Sequence, residues 1–166
     1  MRILVATDGS DFSQAAIEKC CWIVAKPEVT AIKIVSVYQV IVSLDIQAAS
    51  IEYVQELEDA AHKQAEDFVA QAAAVIRECF PNSNIDITTQ VPTGASDRVL
   101  IETAKEWNAD LVVVGSHGRG FWGRMMVGSI SDSLVHHVPC SVLVVRKTGR
   151  ENEQRFGRTK PGHSGN

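Results

Sequence analysis

Ala109-Asp110-Leu111-Val112-Val113-Val114-Gly115-Ser116-His117-Gly118 is a polar turn, four consecutive apolar residues and the start of a glycine loop, in that order. Four aliphatic residues in a row leave no polar face, so a strand here is covered on both sides, as strands of a parallel sheet are. Two further runs share this property: Ile3-Leu4-Val5 within Arg2–Thr7, and Val142-Leu143-Val144-Val145 within Ser141–Val145. Strands are also read at Ala31–Tyr38 and Ile85–Val91. The latter alternates through Ile85, Ile87, Thr89 and Val91, so one of its faces is wetter, as at a sheet edge.

Helical patterns fill the gaps. Ile17, Cys20, Cys21 and Val24 mark one apolar stripe, preceded by the cap candidates Ser10, Asp11 and Ser13. The longest runs from about Ile51 to Phe80, with Val54, Leu57, Ala61, Ala65, Phe68, Ala72, Ile76 and Cys79 three or four apart. Pro81 and Asn82 end it. A third spans Ser96 to Trp107 with Val99, Leu100 and Ala104 inward. The fourth starts near Ser129, carries Ile130, Leu134 and Val138, and stops before Pro139. Strict β-α alternation makes this an α/β chain: an open five-stranded parallel sheet with right-handed crossovers and helices on both faces. Gln39–Ser50 is a long, mostly apolar connection, read as a flap or a cover for the sheet edge.

The 166 residues suit one domain with a real core. With 45% apolar and 22% charged residues the composition is that of a soluble globular protein. The net charge of −4 argues against a nucleic-acid partner. A polar tail from Lys147 to Asn166, without periodicity and read as disordered, carries +3 and leaves −7 on the body. A site for an anion on that body must supply its own positive potential. The first apolar run is too short for a signal peptide, and no run is long enough to span a membrane, so the expectation is a cytoplasmic protein without a membrane partner. Cys20, Cys21, Cys79 and Cys140 show no CxxC spacing and are expected to be reduced, buried small hydrophobes rather than disulfides or metal ligands.

In such sheets ligands bind outside the carboxyl ends of the strands. Two loops qualify: Thr7-Asp8-Gly9-Ser10 after the first strand, and Gly115 to Gly120 after the fourth, running on to Gly128-Ser129-Ile130-Ser131. Glycines at 115, 118, 120, 123 and 128 let backbone N–H groups approach oxyanions. Ser129 and Ser131 open a helix, where unpaired N–H groups and the dipole favour negative charge. Arg119 and Arg124 supply cations. The stretch Gly118–Gly123 also satisfies G-x-G-x-x-G, but the next strand ends in Arg146 and no second nucleotide-binding half follows. It approaches a Walker A loop as well, with Arg124-Met125 where Lys-Ser/Thr belongs. Both matches fail on context.

Gly115-x2-Gly118-x9-Gly128-Ser129 resembles the signature of ATP-binding universal stress proteins. Thr7-Asp8 at the first strand's end, Val91-Pro92-Thr93-Gly94, Ala109–Gly118 and Val138–Val145 are similar to that family too, so the resemblance covers residues 1–146. It implies a Rossmann-like sheet in strand order 3-2-1-4-5 and a homodimer paired through Val142, Leu143, Val144 and Val145. An edge strand of that composition otherwise exposes backbone and apolar groups. It also implies an ATP site: Asp8 and Val37 by adenine and ribose, backbone groups of Thr7 to the base, Gly115, Gly118 and Arg119 on ribose and α-phosphate, and Gly128, Ser129, Ile130 and Ser131 on the outer phosphates. Mg²⁺ would be held by phosphate oxygens, with no protein metal cage. His117 reads either as a phosphate contact or as a solvent-facing loop residue. The neighbours His136 and His137 point apart on a helix and converge on no metal. Trp122, Met125 and Met126 form a hinged cover or a partner patch.

The loop offers phosphate donors without an evident general base, which favours an ATP-holding regulatory protein with little turnover and no catalytic residue. The alternatives are a slow Mg-dependent ATPase using His117 or Asp132 to orient water, an interaction dimer without nucleotide, and a flavin or redox protein of similar winding.

Overall fold

The computed structural model describes residues 1–24, 29, 31–39, 51–81, 84–118 and 128–147. Nine elements alternate along the chain: β1 (Arg2–Ala6), α1 (Asp11–Val24), β2 (Ala31–Val35), α2 (Ile51–Cys79), β3 (Asp86–Gln90), α3 (Ser96–Glu106), β4 (Leu111–Gly115), α4 (Ser129–His137) and β5 (Ser141–Val145). The strands form one parallel sheet in the order β3-β2-β1-β4-β5.

Successive side chains of a strand point to opposite faces, and this divides the core in two. Ile3 and Val5, Ile32 and Ile34, and Val113 meet Ala16, Ile17 and Cys20 of α1 and Val69, Ala72, Ala73 and Ile76 of α2. Leu4, Ala6, Val35, Val112 and Val114 on the other face meet Leu100 and Ala104 of α3 and Leu134 of α4. The near-continuous apolar runs of β1 and β4 are thus explained by helices on both sides. At the margin, Ile87 is the one half-buried residue of β3, as its alternating sequence anticipates.

Three features differ from the sequence reading in instructive ways. The second strand ends at Val35, not Tyr38, but a looser ladder continues beyond it. Ser36 N–H donates to the Gln90 carbonyl, Tyr38 N–H to that of Pro92, and Gly94 N–H to that of Tyr38. This keeps Val37 in register beside the end of β3. Helix α2 is about 43 Å long at 1.5 Å per residue, more than twice the roughly 17 Å of a five-residue strand. Its buried residues accordingly begin only at Ala65, and the half carrying Val54, Leu57 and Ala61 reaches past the carboxyl edge of the sheet.

The third difference is a correction. The four cysteines are not all reduced: Cys21 and Cys79 are disulfide-bonded, with Cα atoms 6.0 Å apart. One residue along a helix is a turn of about 100°, so Cys20 faces the core while Cys21 faces the last residue of α2. Cys20 and Cys140 stay free. Burial pushes the Cys20 thiol up to about 12, which makes it inert at neutral pH.

Ile76 is fully buried, whereas Ile51 is 78% exposed on the same helix. Ile76→Ala should cost about 2–5 kcal/mol, and Ile51→Ala within about 0.5 kcal/mol of nothing. Urea denaturation of the two variants checks the contrast.

Candidate functional site

β1 and β4 are neighbours, with Val5 opposite Val113. The chain leaves β1 toward the helices of one face and leaves β4 toward those of the other, so the two departing loops part around a crevice.

The loop after β1 is tightly wound. Gly9 sits at φ +72°, and a Cβ there would collide with the ring of Phe68 on α2. Asp8 Oδ1 accepts from the Ser10 N–H at 3.1 Å and from its hydroxyl at 2.6 Å. Ser10 Oγ in turn accepts from the Ser13 N–H at 3.2 Å, so Ser10 caps α1 and Asp8 braces the cap. Thr7 is buried, its N–H bonded to the Val35 carbonyl and its hydroxyl to Ser13 Oγ. The second carboxylate oxygen of Asp8 faces the other loop. A Cβ built on Gly118 would lie 2.8 Å from Asp8 Oδ2. The two loops expected to cooperate therefore meet at Asp8 and Gly118, where any side chain at 118 would push the Asp8 carboxylate aside.

Ser116 organises the loop after β4. It is buried, and its N–H donates to the Val145 carbonyl at 2.7 Å. Its carbonyl accepts from the Gly128 N–H at 2.7 Å and from Ser131 Oγ at 3.3 Å. One residue thus ties the ends of β4 and β5 to the start of α4. Gly128 is the N-cap of α4 and supplies no side-chain cap, which leaves the first turn facing outward with backbone donors. Gly115 packs against the backbone of Phe12, where a Cβ would come within 2.7 Å of the Phe12 carbonyl carbon. His117 shares a 3.0 Å hydrogen bond with Ser116 Oγ and packs at 5.0 Å, tilted by 53°, against the Phe12 ring, which fixes it in the loop.

Of the residues named from the sequence, Asp8, Gly115, His117, Gly118, Gly128, Ser129 and Ser131 line the two loops, and Thr7 lies beneath them. Val37 packs against the α3–α4 side of the core beside the end of β2. Ile130 is exposed at 36% on the first turn of α4, where Ser131 and Leu134 take the inward positions. Arg119, Trp122, Arg124, Met125 and Met126 lie outside the described residues, as does the connection from Val40 to Ser50. His136 and His137 each bond Nδ1 to a carbonyl four residues back on their own helix, so they do not converge. Phe12, Phe68 and Ser116 were not anticipated. Phe68 had signalled only as one member of a helical stripe, and its packing partner Gly9 is fifty-nine residues away.

A groove of about 970 Å³ lies between α1 and β5, lined by Gln14, Glu18, Trp22, Leu143 and Val145 among others. On its rim Lys147 pairs with Asp11 and holds that carboxyl below its ordinary range.

The sequence profile of the universal stress protein family matches residues 1–146. A Staphylococcus aureus (strain USA300) protein assigned to the universal stress proteins is 29% identical over 146 residues, 87% of this chain and 82% of that one. The universal stress protein UspA from Lactobacillus plantarum superposes with a TM-score of 0.72 at 26% identity, covering 88% and 97% of the two chains. A universal stress protein solved in complex with cAMP superposes at 0.60 and 26% identity, covering 89% and 98%.

The Gly9–Phe68 packing makes a measurable coupling. Gly9→Ala should destabilise by roughly 1–3 kcal/mol through φ strain and the ring clash. With Phe68→Ala the clash disappears, so the double variant should be more stable than additivity allows, by at least about 0.5 kcal/mol in a denaturation cycle. Strict additivity would mean that the ring does not press on the loop.

Proposed function

The chain belongs to the universal stress protein family, and on that premise we propose that it is a regulatory protein that holds an adenine nucleotide, ATP with Mg²⁺, between the loops after β1 and β4. The meeting of Asp8 with Gly118, beside a first turn of α4 whose N-cap Gly128 has no capping side chain, carries this reading. A carboxylate at one end suits the hydroxyls of a ribose, which donate to it. Backbone donors at the other end suit phosphate oxygens. The likeness to a family member bound to cAMP supports a nucleotide as the ligand class.

Gly118 and Gly128 fit a polyphosphate, since a Cβ at 118 would crowd Asp8 and one at 128 would lie 3.0 Å from the Ser116 carbonyl. Ser129, Ile130 and Ser131 would meet the outer phosphates through the first turn of α4, with Gly115, Gly118 and Arg119 nearer the sugar. Thr7, Asp8 and Val37 would border the base and ribose. Mg²⁺ would be held by phosphate oxygens: among the described residues no three His, Cys, Asp or Glu side chains gather as ligands. When bound, the ion would neutralise phosphate charge on an otherwise acidic body.

Holding is favoured over hydrolysis. Asp8 spends one oxygen on Ser10, Asp132 stands exposed on α4 with His136 Nδ1 3.9 Å away, and His117 is engaged with Ser116 and Phe12. A water-orienting base needs a lone pair directed at the attacking water; Asp8 Oδ1 and His117 Nδ1 already serve their own loops, and Asp132 lies on the exposed side of α4.

The nucleotide state would be read by a homodimer formed through β5. That strand ends the sheet, and Val142, Leu143, Val144 and Val145 are all only half-buried. Edge-to-edge pairing would satisfy its open backbone and cover these side chains.

Two outcomes are expected. Native protein should release an adenine nucleotide on denaturation, identified by mass spectrometry, and ATP–Mg²⁺ should raise Tm. Gly118→Val should abolish both while far-ultraviolet circular dichroism is unchanged. Recovery of no nucleotide together with no thermal shift would sink the proposal, and steady phosphate release lost in Asp132→Asn would move it to an ATPase. Val144→Lys should convert a dimer to a monomer in sedimentation velocity.

A further inference from the structure

The Cys21–Cys79 bond joins the carboxyl-terminal ends of α1 and α2. Both helices run back from the carboxyl edge of the sheet, so the bond sits at the opposite end from the loops. The same two helices carry, at their other positions, the side chains that press on those loops. Phe12 in the first turn of α1 backs Gly115 and packs against His117, and Phe68 of α2 fills the space over Gly9. From Cys21 to Phe12 is about 14 Å along α1, and from Cys79 to Phe68 about 16 Å along α2.

The sulfurs are placed for exchange with solution thiols. Cys79 is exposed and Cys21 is half-buried, whereas the neighbouring Cys20 is buried in the core with its thiol held protonated by burial. The bond is also dispensable for bringing the helices together. Ile17 and Cys20 of α1 share one apolar cluster with Val69, Ala72, Ala73 and Ile76 of α2, so the pair remains docked when the link is cut. A disulfide of accessible sulfurs between independently packed helices is of the labile, regulatory kind rather than the structural kind.

We propose that Cys21 and Cys79 form a reversible dithiol–disulfide site, exchanged by a low-molecular-weight thiol of the glutathione class, whose opening loosens the α1–α2 pair that braces the two nucleotide loops. A glutathione thiolate attacks the exposed Cys79 sulfur. The Cys79–Cys21 bond breaks, and Cys21 leaves as a thiolate and takes a proton from water. A second glutathione thiolate then attacks the sulfur of the glutathione bound to Cys79. Oxidised glutathione departs, and Cys79 leaves as a thiolate that is protonated in turn. Two electrons pass from two glutathiones to the protein disulfide, and the reverse sequence closes the bond. In the closed state each phenylalanine is pinned at a fixed distance from a covalent anchor. In the open state the helices rock about their shared apolar contact, and the order of residues 7–13 and 115–118 declines. The link from the bond to ligand affinity rests on the nucleotide reading above; the exchange itself does not.

The full chain is equilibrated in buffers of defined reduced-to-oxidised glutathione ratio, quenched with iodoacetamide and mapped by peptide mass spectrometry. Cys21 and Cys79 should become alkylated together in a single two-electron transition under native conditions, while Cys20 stays unmodified. A pair that reacts only after urea unfolding would overturn the proposal. ATP–Mg²⁺ titration should then give a Kd about five-fold weaker for the reduced protein. The Cys21→Ser/Cys79→Ser variant should match the reduced protein and ignore glutathione. Equal affinities for the two forms, or a glutathione response that persists in the double variant, would overturn the coupling. If neither form binds ATP, the nucleotide reading fails on its own, and amide hydrogen exchange decides the remaining point: it must be faster at residues 7–13 in the reduced protein, and identical exchange would refute the brace.

Discussion

β1 lies between β2 and β4, and that placement forces the rest of the carboxyl edge. Right-handed crossovers to a parallel neighbour put the connecting helix on one face when the chain moves outward in one direction and on the other when it moves the opposite way. The chain goes from β1 to β2 and β3 under α1 and α2, then crosses back to β4 and β5 under α3 and α4. The loops leaving β1 and β4 consequently diverge from adjacent strand ends. Among the described residues, the carboxylate of Asp8 against the bare Cα of Gly118 narrows the gap between them.

Ser116 converts that gap into a fixed shape. Its amide is spent on β5 and its carbonyl on the start of α4, so loop, edge strand and helix terminus move as one body. Buried backbone groups that find such partners resist displacement, because separating them leaves polar atoms without water. A ligand at the first turn of α4 is therefore mechanically continuous with β5. In the proposed function this is the route from the nucleotide to the β5 pairing, and it passes through hydrogen bonds rather than through a moving domain.

Much of this was legible in the chain. Uninterrupted aliphatic runs marked β1 and β4 as buried central strands. The same kind of run at residues 142–145 forms the half-buried edge strand β5, because among the described residues no further strand covers its outer side. What escaped had physical reasons. A helix stripe shows which face is apolar but not where the sheet beneath it stops, so Val54, Leu57 and Ala61 read as core although five-residue strands end before reaching them. Ser131 turns in to bond the Gly128 carbonyl and that of Ser116, fifteen residues back, a contact that no local pattern announces. The Cys21–Cys79 bond has no local signature at a separation of 58 residues. Adjacent cysteines on a helix face different surroundings, and nothing in their spacing tells which one meets a distant partner.

The overhang of α2 makes one continuous helix into two thermodynamic segments. From Ala65 onward its backbone is roofed by the sheet, and opening those amides requires exposing the shared core. From Ile51 to Gln64 no side chain is fully buried, and that half rests on helix propensity and partial contacts such as the edge-on approach of Tyr38 to His62 at 5.1 Å. Local opening of the first four turns is then far cheaper than global unfolding. Amide protection should climb along the helix from the outer end inward, so that this segment frays and re-forms many times within the life of a single folded molecule.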